Sequence, residues 1–368
     1  MKILIVDNSG MATDGKGHYY TNNLNGLFIK DLIDCGNVLT YYQFAVDGSK
    51  SISVFDLQRN GVRCIPARLI KNKLLRYIKA YWNLAREIRK SDFVYFYYPG
   101  SFKFATFICR IFGIKYGLYI RGMNGINSKL SHQIYKGAFT VFTVSDLFTN
   151  MVNKVVGKNL ANTIRPMIPY TDDDIITDRT YSQKEEYHLL YLGRIAEDKG
   201  IIELIEAIKT LKDKSKYKFT LEIVGNGEYC QQACSKTKEL GVEDIVHFKG
   251  AVYDDNIKKE IFKKSDIYIL PTYHEGFPRT LYEAMLFGTP IITTFVGGIP
   301  SLMKDNVNCL QIEPKSKNSI VEKLEYAMSN YSSLGKLAFE ATNTVRRIVD
   351  KNRLTHGQHL NKIITYER

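Results

Sequence analysis

The chain is short of several things, and each shortage excludes a class of protein. Its 368 residues contain one tryptophan and nine prolines. No run of about 18 uninterrupted apolar residues occurs, and the best candidate, residues 102–120, is broken by Lys103, Arg110 and Lys115, so a membrane-spanning helix is not expected. The opening MKILIVDNSG lacks the long apolar core and small-residue cleavage site of a signal peptide and reads as a first buried strand. Six cysteines, at 35, 64, 109, 230, 234 and 309, sit mostly in apolar stretches, which favours reduced, buried thiols. Cys230 and Cys234 lie one helical turn apart with no second pair at metal spacing, which argues against a zinc site. Acid is scarce in one half only. Residues 1–170 hold 23 Lys and Arg against 9 Asp and Glu, whereas residues 171–368 hold 28 against 29. All of the formal +13 therefore arises in the first half, which suits an anionic partner there without saying which.

What is present is a regular alternation. Strand-like runs at Ile3–Asp7, Val38–Phe44, Ser51–Phe55, Val62–Pro66, Phe93–Tyr98, Tyr116–Ile120 and Phe139–Val144 alternate with helical patterns. A second set follows at Tyr187–Leu192, Phe219–Val224, Ile245–Phe248, Ile267–Leu270, Ile291–Thr294 and Cys309–Ile312. Such alternation predicts right-handed βαβ units, parallel sheets and two doubly wound α/β domains, at 1–165 and 187–330. Residues 166–186, with Pro166, Pro169 and an acidic run, read as the linker, and 331–368 as C-terminal helices returning toward the first domain.

The chemistry concentrates at two strand ends of the second domain. In LLYLGRIAEDKGI (189–201) the strand closes at Gly193, Arg194 follows, and Lys199-Gly200 opens the next helix. Two cations beside a helix N-terminus suit a diphosphate, since free N–H groups and the helix dipole favour an anion. In SDIYILPTYHEGFPRTLYEAMLFGTPIITT (265–294), Glu275 ends a strand loop and Glu283 falls in the second turn of the helix that follows. The carboxyl ends of strands are where open α/β sheets take ligands. Two carboxylates there suit hydroxyl groups on either side of a bound phosphate. Taken one at a time, each of these residues is equally compatible with a solvated surface charge or a dipole-friendly acid.

Together they carry a resemblance. Glu275-x7-Glu283, preceded by Gly193-Arg194 and Lys199-Gly200, and accompanied by VGNGE (224–228), FKG (248–250) and GGIP (297–300), resembles the retaining glycosyltransferases of family 4. That resemblance implies the GT-B architecture, two facing Rossmann-like doubly wound parallel-sheet domains with a helical C-terminal tail. It implies a nucleotide-sugar substrate, UDP- or GDP-linked, with no separate cofactor and no metal. Arg194 and Lys199 would then hold the diphosphate, Glu283 the ribose and Glu275 the transferred sugar, a hexose or N-acetylhexosamine. Gly225, Gly227 and the stretch from Lys249 to Val252 would line the nucleobase. The loop Gly276, Phe277, Pro278, Arg279, Thr280 and Leu281 would cap the distal phosphate and sugar. The acceptor side is matched more loosely, by Gly15, Gly17 and His18 and by Arg121 and Asn124. The implied setting is capsule, O-antigen or exopolysaccharide synthesis on a lipid-linked acceptor at the cytoplasmic face of a membrane. A nucleotide-sugar epimerase and a non-catalytic GT-B subunit are the alternatives, and no nucleic-acid motif accompanies the basic half.

Two further features need a reading. Asp172-Asp173-Asp174 contains the Asp-x-Asp pair that binds metal in another transferase class, but no strand precedes it, so an acidic turn is expected. Residues 59–90 hold ten Lys or Arg and one acid, Glu87. From Leu69 to Lys90 they read as an amphipathic helix, with Ile70, Leu74, Ile78, Trp82 and Leu84 or Ala85 facing the sheet. Lys71, Lys73, Arg76, Lys79, Arg86 and Arg89 would then face outward, toward anionic lipid.

Overall fold

The computed structural model describes residues 1–48, 54–122 and 126–366. They form two compact units, Met1–Ile168 joined by the chain from Arg353 onward, and Pro169–Asn352.

In the first unit, parallel pairing builds a seven-strand sheet from β1 (Lys2–Val6), β4 (Val38–Asp47), β6 (Arg63–Ala67), β7 (Phe93–Tyr98), β8 (Lys115–Ile120), β9 (Thr140–Thr143) and β10 (Ala161–Thr163), in the order β6-β4-β1-β7-β8-β9-β10. The order reverses between β1 and β7. Beyond the end of β4, the short strands β2 (Met11–Thr13), β3 (Tyr19–Thr21) and β5 (Phe55–Asp56) add a small, partly antiparallel extension. Of the strand expected over 51–55, positions 51–53 lie outside the described residues.

Period-two alternation sends Leu4, Val6, Val94, Phe96 and Tyr98 to one face, and Ile3, Ile5, Phe93, Tyr95 and Tyr97 to the other. Both faces are covered, which is why β7, FVYFYY, is buried throughout. The first face receives α2 (Lys73–Ile88), α3 (Ala105–Ile111), α4 (Lys129–Gly137) and α5 (Asp146–Val156). The second receives α1 (Asn23–Asp34).

The second unit is one six-strand parallel sheet. It contains β11 (Glu186–Leu192), β12 (Lys218–Val224), β13 (Val246–Gly250), β14 (Ile267–Leu270), β15 (Ile291–Thr294) and β16 (Leu310–Ile312), ordered β13-β12-β11-β14-β15-β16. Counted from its own first strand the order is 3-2-1-4-5-6, the doubly wound arrangement, and its switch point lies between β11 and β14. Its helices are α6 (Ile201–Lys214), α7 (Cys230–Glu239), α8 (Asp255–Lys264), α9 (Arg279–Leu286), α10 (Lys317–Ser329) and α11 (Tyr331–Val349).

The last helix, α12 (His356–Tyr366), belongs to the first unit and inserts Leu360, Ile364 and His356 beside α1. The residues expected as one C-terminal group thus divide, α11 staying with the second unit and α12 with the first. The segment expected as a linker is ordered against the second unit from Pro169 on. Arg179 donates to the carbonyl oxygens of Phe262 and Ser265 and to Thr289 Oγ1, while Tyr181 Oη donates to Gly288 O. A guanidinium has five donors, and the two carbonyls at the end of α8 with Thr289 Oγ1 satisfy several of them.

Two expectations are corrected. Only Cys109 and Cys309 are buried; Cys64, Cys230 and Cys234 are half-buried, and Cys35, at the end of α1, is exposed. The second concerns α2, which turns Tyr77, Ala80, Tyr81, Leu84 and Ile88 to the sheet. Leu74, Ile78 and Trp82 point away from it, at 72%, 55% and 64% exposure. Residues 77, 80, 81, 84 and 88 keep the i, i+3, i+4 spacing as faithfully as 70, 74, 78 and 82 do, so the sequence offers two stripes and packing selects the one with tyrosines and a small alanine.

Candidate active site at the switch point of the second sheet

Two loops leave the carboxyl ends of β11 and β14 side by side, and backbone bonds tie them together. Tyr273 N donates to Asp198 O at 2.7 Å, and Thr272 Oγ1 donates to the same oxygen at 3.1 Å. Gly200, with φ +67°, lets this approach happen, because a Cβ there would stand 2.1 Å from Pro271 O. The result brings Lys199 against the second loop. Its Nζ lies 2.5 Å from Glu275 Oε1, 2.9 Å from His274 O and 3.3 Å from Asp198 Oδ2.

Glu275 is held from the other side by the loop after β15. Gly298 N donates to Gly276 O at 2.6 Å, and a Cβ on Gly297, whose φ is +59°, would lie 1.7 Å from Glu275 O. Only glycine fits that approach.

Arg194, half exposed, pairs with Asp198 Oδ1 and Glu228 Oε1, both at 3.1 Å. Its carbonyl accepts from Tyr191 Oη at 2.7 Å, which fixes the turn that carries it. Beside it, Gly193 N donates to Val224 O, Ile195 N to Asn226 O and Gly225 N to Gly250 O. This lacing places Gly193, Gly225 and Gly227 along one strip, with Lys249 paired to Glu222 at 3.4 Å and Val252 half-buried just beyond it.

The helix α9 starts after Pro278 with no side-chain cap. Leu281 N donates to Pro278 O, Tyr268 Oη donates to Thr280 Oγ1 at 2.6 Å, and Phe277 packs at a tilt against Tyr282 with centroids 4.6 Å apart. Glu283, one turn along, is 5% exposed. Its Oε2 has no hydrogen-bond partner, and Lys258 Nζ stands 3.7 Å from Oε1. Burial pushes the Glu283 carboxyl above its usual range, against the pull of Lys258 and Arg279. An unpartnered buried carboxylate oxygen is costly in a folded protein, so one on the helix that follows the carboxyl end of β14 is suited to an outside donor.

With that geometry in place, similarity to known proteins becomes informative. Residues 172–344 match the family model for glycosyl transferases group 1. The matched stretch lies wholly within the second unit and spans just under half of the chain. Among relatives, an uncharacterised glycosyltransferase of Methanocaldococcus jannaschii, MJ1607, is 33% identical over 152 residues, 40% of this chain and 37% of that one. A Campylobacter jejuni α-1,4-N-acetylgalactosaminyltransferase, named for an undecaprenyl-diphosphate-linked glycan, is 27% identical over 159 residues, 43% of this chain and 42% of its own. The aligned part covers less than half of either relative. The whole chain superposes on the UDP-glucose complex of HepE from Anabaena with a TM-score of 0.70, at 16% identity, covering 100% of this chain and 99% of that one. The fold is GT-B.

The described acceptor-side candidates lie on two separate elements of the first unit. Gly15, Gly17 and His18 lie in the turn between β2 and β3, where His18 Nδ1 is 2.7 Å from Asp14 Oδ2 and that bond lowers the Asp14 pKa. Arg121 lies at the end of β8, stacked over Tyr97 and Tyr119 and donating to Asn8 Oδ1 at 2.5 Å. Asn124 lies outside the described residues.

Several residues of both units escaped the sequence reading. Asp198 and Glu228 pair with Arg194, and Lys258 stands beside Glu283; only Asp198, four residues from Arg194, carried a spacing signal. Asp7, buried at the end of β1, accepts from Ser9 Oγ, Asn25 Nδ2 and Tyr41 Oη and so shapes the strand end that Asn8 shares with Arg121. Its signal was present, since it is the acid that ends the first strand. The acidic triplet 172–174 is a capped 3-10 turn in which Asp173 pairs with Lys351 and Asp174 with Lys259.

Proposed function

We propose that this chain transfers a sugar, a hexose or N-acetylhexosamine, from a UDP- or GDP-sugar to a growing lipid-linked glycan, with retention at the anomeric carbon and without a metal. The observation that carries the reading is the buried, unpartnered Glu283 oxygen in the second turn of α9, the helix that follows the loop in which Glu275 meets Lys199. In this reading the Glu283 carboxylate accepts from ribose hydroxyls. The diphosphate takes Arg194 from Asp198 and Glu228, and Lys199 from Glu275. Freed from Lys199, Glu275 accepts from hydroxyls of the sugar. As the bond to the sugar breaks, negative charge grows on the departing diphosphate, and the two cations already drawn onto it, with the first amides of α9, stabilise that charge.

Support comes from the HepE complex, whose ligand is UDP-glucose, and from the Campylobacter relative, whose name describes a lipid-linked acceptor. Synthesis of a surface polysaccharide such as capsule or O-antigen, at the cytoplasmic face of a membrane, is the corresponding setting. The test is a panel of UDP- and GDP-sugars incubated with and without a polyprenyl-diphosphate-linked acceptor, in buffer and in excess EDTA. Acceptor-dependent release of nucleoside diphosphate that survives EDTA is the expected result. Sugar isomerisation without acceptor would establish an epimerase, and inertness toward every donor a binding subunit.

A further inference from the structure

The outer face of α2 is apolar. Leu75, Ile78 and Trp82 follow one another at helical spacing on the side opposite Ala80, Leu84 and Ile88, and Leu74 adjoins them. Their exposures run from 48% to 72%. This helix is therefore apolar on two opposite faces, which a helix lying on a sheet and facing water does not need.

Cations flank the outer stripe. The Arg86 guanidinium sits 5.5 Å over the Trp82 ring, and that of Arg89 sits 5.3 Å over Phe112, which extends the patch onto the end of α3. Lys71, Lys73 and Lys79 are exposed beside it. Arg76 is engaged elsewhere, donating twice to Ile70 O and fixing the turn that enters the helix. The single acid of residues 59–90, Glu87, is 8% exposed and paired with Arg63 at 2.8 Å and Lys90 at 2.9 Å. No anion accompanies the patch from its own stretch of chain.

From this we infer that α2 is an interfacial helix, which inserts Leu74, Leu75, Ile78 and Trp82 among the acyl chains of an anionic bilayer while its lysines and arginines reach the headgroups. Charge selects this occupant. A second copy of the chain would set cations against cations, whereas a sheet of anionic headgroups over hydrocarbon matches both components of the face. Lys and Arg stems let the charged ends stay in the headgroup layer while the ring and aliphatic groups go deeper. The sequence pattern pointed to electrostatic attachment through a basic face, and the exposed stripe changes that to insertion. The inference rests on the surface of the first unit alone and is independent of what the second unit binds.

Trp82 is the sole tryptophan, so the protein carries its own reporter. Adding phosphatidylglycerol vesicles to the full chain should shift its emission to the blue, and bromine-labelled acyl chains should quench it, with much weaker effects from phosphatidylcholine alone. The double substitution Leu75→Ser/Ile78→Ser should lower vesicle partitioning by about tenfold or more while leaving the circular dichroism and thermal unfolding unchanged. Lys79→Glu/Arg86→Glu should weaken binding in a salt-dependent way. Co-sedimentation with an unshifted, unquenched Trp82, or binding unaffected by the Leu75/Ile78 pair, would overturn insertion. A blue shift that grows with protein concentration in the absence of lipid would replace the bilayer with a second copy.

Discussion

The two units share a strand order and treat charge in opposite ways. Each is a parallel sheet whose order reverses beside its first strand. In the second unit the cations at that point are held by neighbouring acids, Arg194 by Asp198 and Glu228, Lys199 by Asp198 and Glu275. In the first unit the same position holds a buried carboxylate, Asp7, saturated by neutral donors, and the cationic excess lies on the helical surface around α2. A site that must release an anionic product benefits from acids that take the cations back, whereas a surface that meets headgroups needs cations without local partners. The same strand order therefore carries acid-paired cations in one half and a cation-rich helical surface in the other.

The comparison breaks if the paired cations of the second unit prove to be merely structural. Arg194→Ala and Lys199→Ala should each lower turnover by about 10²–10³ with thermal unfolding little changed, as steady-state kinetics beside a melting curve will show. Rates near wild type in both would remove the basis for placing the diphosphate there.

The two carboxylates sharpen the same point. Glu283→Gln should weaken UDP binding by about tenfold, the scale of one hydrogen bond to a charged group, and leave stability at pH 7.5 equal or raised. The sign follows from the raised carboxyl: its protonated form is favoured in the fold, so ionisation costs stability once pH climbs through the native pKa, and the amide escapes that cost. Glu275→Gln should leave UDP affinity within about twofold but cut sugar transfer strongly, because its observed partner is Lys199 and the proposed function gives it the sugar hydroxyls. Calorimetry with free UDP separates the two, and equal losses of affinity would show that the division of roles is wrong.

The smallest effect concerns the first unit. His356 is buried among Phe28, Tyr119 and Phe142, with Nε2 2.6 Å from Tyr95 Oη, and burial pushes its pKa well below the ordinary 6.5. A depressed histidine contributes stability that is present above pH 6.5 and lost as pH falls toward the native value. Stability should therefore decline as pH falls from 7 to 5. Denaturant titrations at the two pH values should show a shallower decline for His356→Gln, even if that variant is less stable at pH 7. An identical decline would place the acid sensitivity elsewhere.

Sequence alone determined the two-sheet architecture, because buried parallel strands must be short apolar runs bounded by glycine, proline or polar residues, and that pattern survives without any partner. It also marked Arg194, Lys199, Glu275 and Glu283, since strand ends and helix starts are read from local spacing and motif. Tertiary structure alone brought Glu228 to Arg194 and Lys258 to Glu283, pairings across space that periodicity does not reveal, whereas Asp198 reaches Arg194 from four residues along the chain. It alone chose which stripe of α2 meets the sheet, for the two stripes repeat at the same interval. Only the shape of the groove left by Tyr77, Ala80 and Leu84 against the strands breaks that tie, and it leaves Trp82 outside.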